Sequence, residues 1–391
     1  MPRRPFHREG TILRLKRPLR SAIEAGHPWI WRDALEPFDV SPGTVVRVHD
    51  ERGPVATGFA ERGPIGVRVL SSRSIAVDDA FFASRIARAS ALRERVVFGD
   101  TNAFRLVHGE GDGLPGIIVD VYERWAVVQF DGAAECFRDA VVRGVRGVRP
   151  SLQGILVRTG RREFKRIELA DGEAPPPLVA VREHAMVLLA DLMHGQKTGL
   201  FLDHRESRER VRKLSRGLRV LNLYGYTGGF SVAAGLGGAS EVDTVDVAAP
   251  ALELARASWA ANHLEVEHRT HVRDAPEFLE EARREGRQWD LVIADPPSFA
   301  PNEASLPQAI KSYRSLHRAC LRVLSAHGFY LAASCSSHVD RTTFDRTLRE
   351  AAEKTGPLQI LERSGAPADH PRLSAFPEGD YLKVVLARRL D

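Results

Sequence analysis

The sequence predicts an α/β protein: a doubly wound parallel sheet over residues 191–391, preceded by a small β segment and an α+β segment. Three observations carry that prediction. From about residue 191, short continuous apolar runs alternate with segments of helical periodicity, as expected of parallel strands buried on both faces. A glycine-rich turn follows the first of those runs, at the strand end where open α/β sheets hold their ligands. Residues 11–75 instead carry β-branched runs separated by Gly and Pro turn signals. At 391 residues the chain exceeds one ordinary domain, and we divide it into residues 1–75, 76–190 and 191–391.

In the first segment, Thr44-Val45-Val46-Arg47-Val48 and Gly66-Val67-Arg68-Val69-Leu70 read as strands, with turns at Ser41-Pro42-Gly43 and Arg52-Gly53-Pro54. The two tryptophans of His27-Pro28-Trp29-Ile30-Trp31 suit either covering a small barrel or stacking on a base. Phe81, Phe82, Ile86, Ala89 and Leu92 fall near helical spacing and predict a helix over residues 80–97. The middle segment is expected to hold strands over residues 104–108, 117–121, 125–130, 155–158 and 185–189 and a helix over 134–145. Asp171-Gly172 and Pro175-Pro176-Pro177 mark a surface loop. In the last segment, strands over residues 219–223, 241–247, 289–294, 328–334 and 381–388 are expected. They alternate with helices over 230–236, 249–262, 275–285, 307–324 and 341–354.

Hydrophobic residues at 43% and charged residues at 27% describe a folded chain rather than a disordered one. No run approaches the ~18 apolar residues of a membrane span, so no membrane partner is expected. Met1-Pro2-Arg3-Arg4-Pro5 is basic but lacks the apolar core of a signal peptide. Cys136, Cys320 and Cys335 lie far apart without metal-type spacing. Neither a disulfide scaffold nor a metal is therefore expected, and the reducing cytoplasm is the expected compartment. The net charge of +5 sits in residues 1–75, which hold 13 Lys and Arg against 8 Asp and Glu; the remainder holds 43 of each. Seven basic residues and one acid, Glu9, fall within the first twenty positions. This distribution suits a nucleic-acid anchor joined to a neutral enzyme, and equally a solvated face of an Arg-rich chain.

The chemistry-bearing motifs all fall at strand ends. Leu223-Tyr224-Gly225-Tyr226-Thr227-Gly228-Gly229-Phe230-Ser231 joins a strand to a helix, and its glycines permit a tight turn and close approach of backbone to a ligand. Its spacing is not GxGxxG and no P-loop Lys-Ser/Thr follows, which argues against NAD and ATP. Asp246, at the end of the next strand, suits the hydroxyls of a ribose. Asp274 suits either an adenine amine or a helix N-cap. Asp295-Pro296-Pro297 rigidifies a strand exit and leaves a carboxylate and a carbonyl able to accept from a nucleobase amine. Cys335, flanked by Ser334 and Ser336 at the end of a further strand, offers a thiolate nucleophile. Cys136 and Cys320, on expected helices, read as small buried hydrophobes. An apolar strand delivering Asp-Pro-Pro beside a cysteine suggests methylation of a ring carbon, which needs a covalent helper.

By these motifs the chain resembles the PUA-domain-containing, Rossmann-like class I methyltransferases that make 5-methylcytidine in large-subunit (23S) rRNA. Three further stretches carry the resemblance. They are Gly111-Asp112-Gly113-Leu114-Pro115-Gly116, the run from His194-Gly195-Gln196-Lys197-Thr198-Gly199 through Leu200-Phe201-Leu202-Asp203-His204-Arg205-Glu206, and Phe376-Pro377-Glu378-Gly379-Asp380-Tyr381-Leu382-Lys383. The resemblance implies S-adenosylmethionine as cofactor, a small β-barrel PUA domain over residues 1–75 and Cys335 as nucleophile. It implies that Phe201, Asp203 and Arg205 border the cofactor pocket. The cofactor set is then Phe201, Asp203, Arg205, Asn222, Tyr224, Gly225, Thr227, Gly228, Gly229, Asp246, Asp274 and Asp295, with Pro296, Pro297 and Phe299 toward the substrate. No cysteine follows Asp295-Pro296, unlike other RNA cytosine-C5 methyltransferases, so the base that removes the C5 proton is open and Asp295 is the candidate. The expected partner is 23S rRNA or a large-subunit precursor; homodimerisation is left open. Two alternatives are a guanine-N methyltransferase, which needs no cysteine, and a non-catalytic RNA-binding assembly factor.

Overall fold

The computed structural model describes residues 11–160 and 166–391; the basic residues Arg3, Arg4 and Arg8 lie outside them. Contacts divide the chain into two compact units. The first takes the described residues up to Val179 with 190–199 and 368–379; the second takes 180–189, 200–367 and 380–391.

The first unit opens with β1 (Thr11–Arg14), α1 (Arg20–Glu24), β2 (Trp29–Trp31), β3 (Val45–Asp50), β4 (Gly53–Ala60) and β5 (Ile65–Ser71), paired in the order β1-β3-β4-β5-β2. Lys16 N donates to Ala34 O and Glu36 N donates to Arg14 O, so the edges meet and the sheet closes into a small barrel. Period-two alternation turns Val46 and Val48 of β3 inward, against Leu13, Ile30, Val55 and Val67. Trp29 is held structurally: its Nε1 donates to Glu110 at 2.9 Å and its ring meets Phe376 edge-on at 4.6 Å. Trp31 is 40% exposed, the one of the two open to a partner.

The same unit continues with α2 (Asp79–Val96), β6 (Ala103–His108), β7 (Ile117–Tyr122), β8 (Trp125–Phe130), α3 (Arg138–Val148), β9 (Gly154–Thr159) and β10 (Arg166–Gly172), the strands forming a second sheet in the order β10-β9-β8-β7-β6. Phe82, Ile86, Val141 and Val145 of the helices share one cluster with Val119, Val128 and Ile155 of the sheet. The boundary expected at residue 75 does not separate one core from another. Phe59 and Leu70, from β4 and β5, belong to that cluster as well. Arg68, 4% exposed, anchors an ion cluster by donating to Glu61, Glu110 and Asp131. The helix expected over 134–145 starts later, because residues Gly132–Phe137 wind as a 3-10 turn after Gly132 takes φ 61°. Cys136 lies on that turn and is exposed, contrary to the buried role expected of it; a 3-10 turn has too little inner face to bury every side chain.

In the second unit, β11 (Val179–Glu183) and β12 (Met186–Ala190) form a two-stranded ribbon, with residues 180–189 belonging to the unit. There follow α4 (Arg205–Leu214), β13 (Arg219–Leu223), α5 (Gly229–Leu236), β14 (Glu241–Asp246), α6 (Ala249–Ala261), β15 (Glu267–Val272), α7 (Ala275–Arg284), β16 (Trp289–Ala294), α8 (Leu306–Arg322), β17 (Leu324–Ser334), α9 (Arg341–Ala352), β18 (Leu358–Ser364) and β19 (Lys383–Arg389). The strand order is β15-β14-β13-β16-β17-β19-β18, with β19 antiparallel to both its neighbours and the other pairs parallel. Leu221, Val245, Val292 and Tyr330 of the central strands pack with Phe278, Leu279, Tyr313 and Phe344 of the helices. Strand order reverses between β13 and β16, so the carboxyl ends of these two neighbours frame the crevice in which such sheets bind ligands.

Candidate active site

The glycine-rich turn leaves β13 at that crevice. Tyr224 and Tyr226 take φ of 56° and 47°, unusual for residues with side chains, and Gly228 takes 74° as the residue preceding α5. Glycine is demanded there partly by the protein itself. A Cβ at Gly228 would lie 2.7 Å from Ala255 Cβ, and one at Gly225 would lie 2.4 Å from Thr244 Cγ2. Thr227 is buried, and burial pushes the Tyr224 hydroxyl above the usual phenol range.

Asp246 ends β14 with both carboxylate oxygens engaged. Oδ2 accepts from Tyr226 N and Oδ1 from Ala248 N, each at 2.8 Å, so this acid fixes the turn while remaining partly exposed. Asn222, 1% exposed, donates to Ser231 Oγ at 2.8 Å, and the chain of bonds continues through Thr244 to His268. Asp274 is the N-cap of α7, accepting from Glu277 N at 3.2 Å. Its side chain is exposed, so of the two roles read from the sequence the cap is the one with a bond.

The Asp-Pro-Pro and Ser-Cys-Ser motifs come together. Cys335 Sγ sits 4.0 Å from Pro296 O, a weak thiol contact, and the residue is partly exposed. Ser334 and Ser336, both 0% exposed, turn the other way. Their hydroxyls meet Tyr313 OH at 2.8 and 3.0 Å, and Ser336 Oγ shares a 3.0 Å bond with Ser298 Oγ. The serines thus lock the exit of β17 to the Pro-Pro-Ser-Phe loop and present the cysteine outward. Phe299 packs its ring 4.8 Å from Tyr313; Pro296 is buried and Pro297 exposed.

The segment before α4 joins the same rim. Phe201 meets the Tyr226 ring edge-on at 5.2 Å. Asp203 accepts from Tyr381 OH at 2.8 Å, and Arg205 pairs with Glu206 at 3.1 Å; both are buried. Sequence reasoning named Asp203 and Arg205 and passed over the residue between them. His204, 2% exposed, places Nε2 3.1 Å from Asp295 Oδ2, and its Nδ1 has no hydrogen-bond partner among the described residues. Its place between two motif residues was the available signal, and the charged neighbours hid it. The other half of that motif serves elsewhere: Thr198, 1% exposed, donates to Asp120 and bonds Tyr122 within the first unit.

Comparison with known proteins bears on this geometry. A family model described as S-adenosylmethionine-dependent methyltransferase matches residues 158–388, and a PUA-like domain matches residues 13–72. The chain is 36% identical over 388 residues to ribosomal RNA large subunit methyltransferase I of Photobacterium profundum, covering 95% of this chain and 98% of that protein. It belongs to the S-adenosylmethionine-dependent methyltransferases. The methyltransferase is likewise 35% identical to the protein of the same name from Erwinia tasmaniensis, over 93% of its own length and 95% of the relative's. In fold it matches a SAM-dependent methyltransferase from Streptococcus mutans with a TM-score of 0.87 at 24% identity, covering 97% of this chain and 100% of that one. A solved methyltransferase complexed with SAH matches with the same TM-score and identity, over 97% and 99%.

The rim of the methyltransferase fits its cofactor, S-adenosylmethionine. Each Asp246 oxygen has one backbone donor, leaving further lone pairs for hydroxyls. Val247 and Val272, 68% and 54% exposed at adjacent strand ends, offer an apolar surface for a base. Asn222 Oδ1 and His204 Nδ1 are buried polar atoms without a partner among the described residues, which native proteins rarely leave unsatisfied.

Proposed function

We propose that this methyltransferase methylates C5 of a cytosine in large-subunit rRNA through a transient bond between Cys335 and C6 of the base. The observation that carries this reading is the convergence of Cys335 with Asp295-Pro296 at one strand-end crevice. The names of the relatives support the substrate class, and the PUA-like match supports RNA as partner, with residues 1–75 as its anchor. A single cytosine must be unpaired or extruded to reach such a site. The cytoplasm is the compartment where this substrate and a free thiol coexist.

In this reading the glycine turn, Asn222 and Asp246 hold the nucleoside of the cofactor, Val247 and Val272 contact its base, and Phe201, Asp203 and Arg205 close the border of the pocket. Bound there, the cofactor supplies an electrophilic methyl group on a sulfonium. Asp295 and the Pro296 carbonyl accept from the cytosine amine and hold the ring edge-on, beside Pro297 and Phe299. The Cys335 thiolate adds to C6, and the displaced electron pair makes C5 nucleophilic enough to take the methyl group. Asp295, supported by His204, then removes the C5 proton. The pair from the C5–H bond reforms the ring double bond and expels the thiolate, returning Cys335 unchanged.

Methyl transfer from labelled S-adenosylmethionine to unmodified 23S rRNA, with nucleoside mass spectrometry, tests the proposal. 5-Methylcytidine is expected from the wild type and none from Cys335→Ala. Undiminished turnover by the alanine variant, or a methylated guanine, would overturn the covalent route.

A further inference from the structure

Lys383 opens β19 opposite Ser334 in the β17–β19 register, one residue from Cys335. The residue is 1% exposed. Its Nζ donates to Ser336 O at 2.6 Å and to Tyr381 O at 2.8 Å. Both acceptors are neutral carbonyls, and no carboxylate of the described residues lies within ion-pair distance of the ammonium. A buried cation without a counter-ion is costly, and burial pushes this amine down from its ordinary value to about 8. The charged groups that face it are Asp380, Asp340, Arg341 and Cys335. Both carboxylates have other work: Asp380 lies 3.7 Å from Arg341, and Asp340 caps α9 by accepting from Thr343 N. Cys335, whose neighbour Ser336 offers the carbonyl that the ammonium holds, is a third group that becomes an anion.

We propose that Lys383 is a positioning residue for methyl transfer: its ammonium holds Cys335 as the thiolate and, through the Ser336 carbonyl, sets the turn that presents the sulfur. The thiol proton leaves to solvent and sulfur keeps the bonding pair, so the resting site is a Lys383 ammonium beside a Cys335 thiolate. This rests on Cys335 being the nucleophile, but the two ideas fail separately. A wrong nucleophile shows as retained turnover in Cys335→Ala; a wrong Lys383 shows in the thiol titration alone.

The test is the rate of iodoacetamide alkylation against pH, read peptide by peptide with mass spectrometry on the full chain. Exposed Cys136 serves as the reference within the same molecule. In the wild type, Cys335 is expected to react with a midpoint below the ordinary thiol value of about 8.5. Lys383→Gln, which keeps a donor but loses the charge, should raise that midpoint by about one unit or more and leave Cys136 unmoved. Lys383→Arg should restore most of the shift. A wild-type midpoint at or above the ordinary value overturns the proposal without any variant. So does a Lys383→Gln protein that is folded and keeps the wild-type midpoint.

Discussion

Among single residues, His317 and His268 show how burial sets protonation in the second unit. His317 is 1% exposed, bonds Tyr330 OH through Nδ1 at 2.8 Å, and is pushed by burial from 6.5 to about 3. His268 stacks on Trp259 at 4.2 Å and is pushed to about 4. Both are neutral in the fold at pH values where the unfolded chain protonates them. Below pH 6.5 the unfolded state therefore binds more protons, and stability falls as pH drops until the folded-state values are reached. Between pH 6.5 and 5 each histidine withdraws about 2 kcal/mol, at about 1.4 kcal/mol per unit. Urea unfolding at pH 7.5 and 5.0 checks this for His317. In His317→Gln the loss between the two pH values should be smaller than in the wild type by about 2 kcal/mol. The same loss in both proteins would mean that the buried imidazole takes up its proton as readily as in the unfolded chain. Carboxylates such as Asp290, held down to about 2 by Arg219, act only at lower pH and do not blur the comparison.

Elements were legible where burial is apolar and obscure where it is ionic. The strands β13, β16 and β17 read directly, because a parallel strand covered on both faces is a continuous apolar run. Helix α4 did not, since its inner face is built from Arg205 and Arg208, with Val211 the buried apolar residue; Arg208 makes a double contact with Glu183 at 2.6 Å. The edge strands β15 and β18 carry Glu, His, Arg and Gln on a half-solvated sheet margin and lack the apolar signature of a central strand. In the site, the motifs themselves were readable, but the roles of Tyr313, His204 and Lys383 were not, because each acts through a neighbour far away in sequence. The glycine turn separates conformation from ligand contact in a testable way. Gly228→Ala forces φ near 74° on a side chain and drives its Cβ to within 2.7 Å of Ala255. Roughly 1–2 kcal/mol of strain is expected, and cofactor affinity by calorimetry should fall about tenfold or more. Gly147→Ala, on the exposed face of α3 with nothing within 4 Å, should instead stabilise by about 0.5–1 kcal/mol and leave affinity unchanged. Unaltered cofactor affinity in Gly228→Ala would mean the turn tolerates a side chain and does not shape the pocket.

At the scale of the whole molecule, the basic N-terminal segment invites a deletion experiment that the fold makes uninformative. A chain lacking residues 1–75 loses Phe59 and Leu70 from the core that α2, α3 and the second sheet share. It also strips Arg68 from half-buried Glu110 and from Asp131. Losing a buried phenylalanine alone costs about 3–5 kcal/mol, so weakened RNA binding in that chain would report unfolding as readily as lost contacts. Charge substitution on the intact protein avoids this. Arg14 and Lys16 are exposed on and beside β1, without an ion-pair partner among the described residues, so neutralising them disturbs no core. If they meet phosphates, Arg14→Gln with Lys16→Gln should weaken rRNA binding and reduce the slope of log affinity against log salt by about 2, one per lost contact. Thermal stability and S-adenosylmethionine affinity should stay at wild-type values, because both residues lie outside the second unit that carries the candidate site. Weaker binding with an unchanged slope would place the lost affinity outside phosphate contacts, and unchanged binding would make this basic stretch a solvated surface with the RNA held elsewhere on the chain.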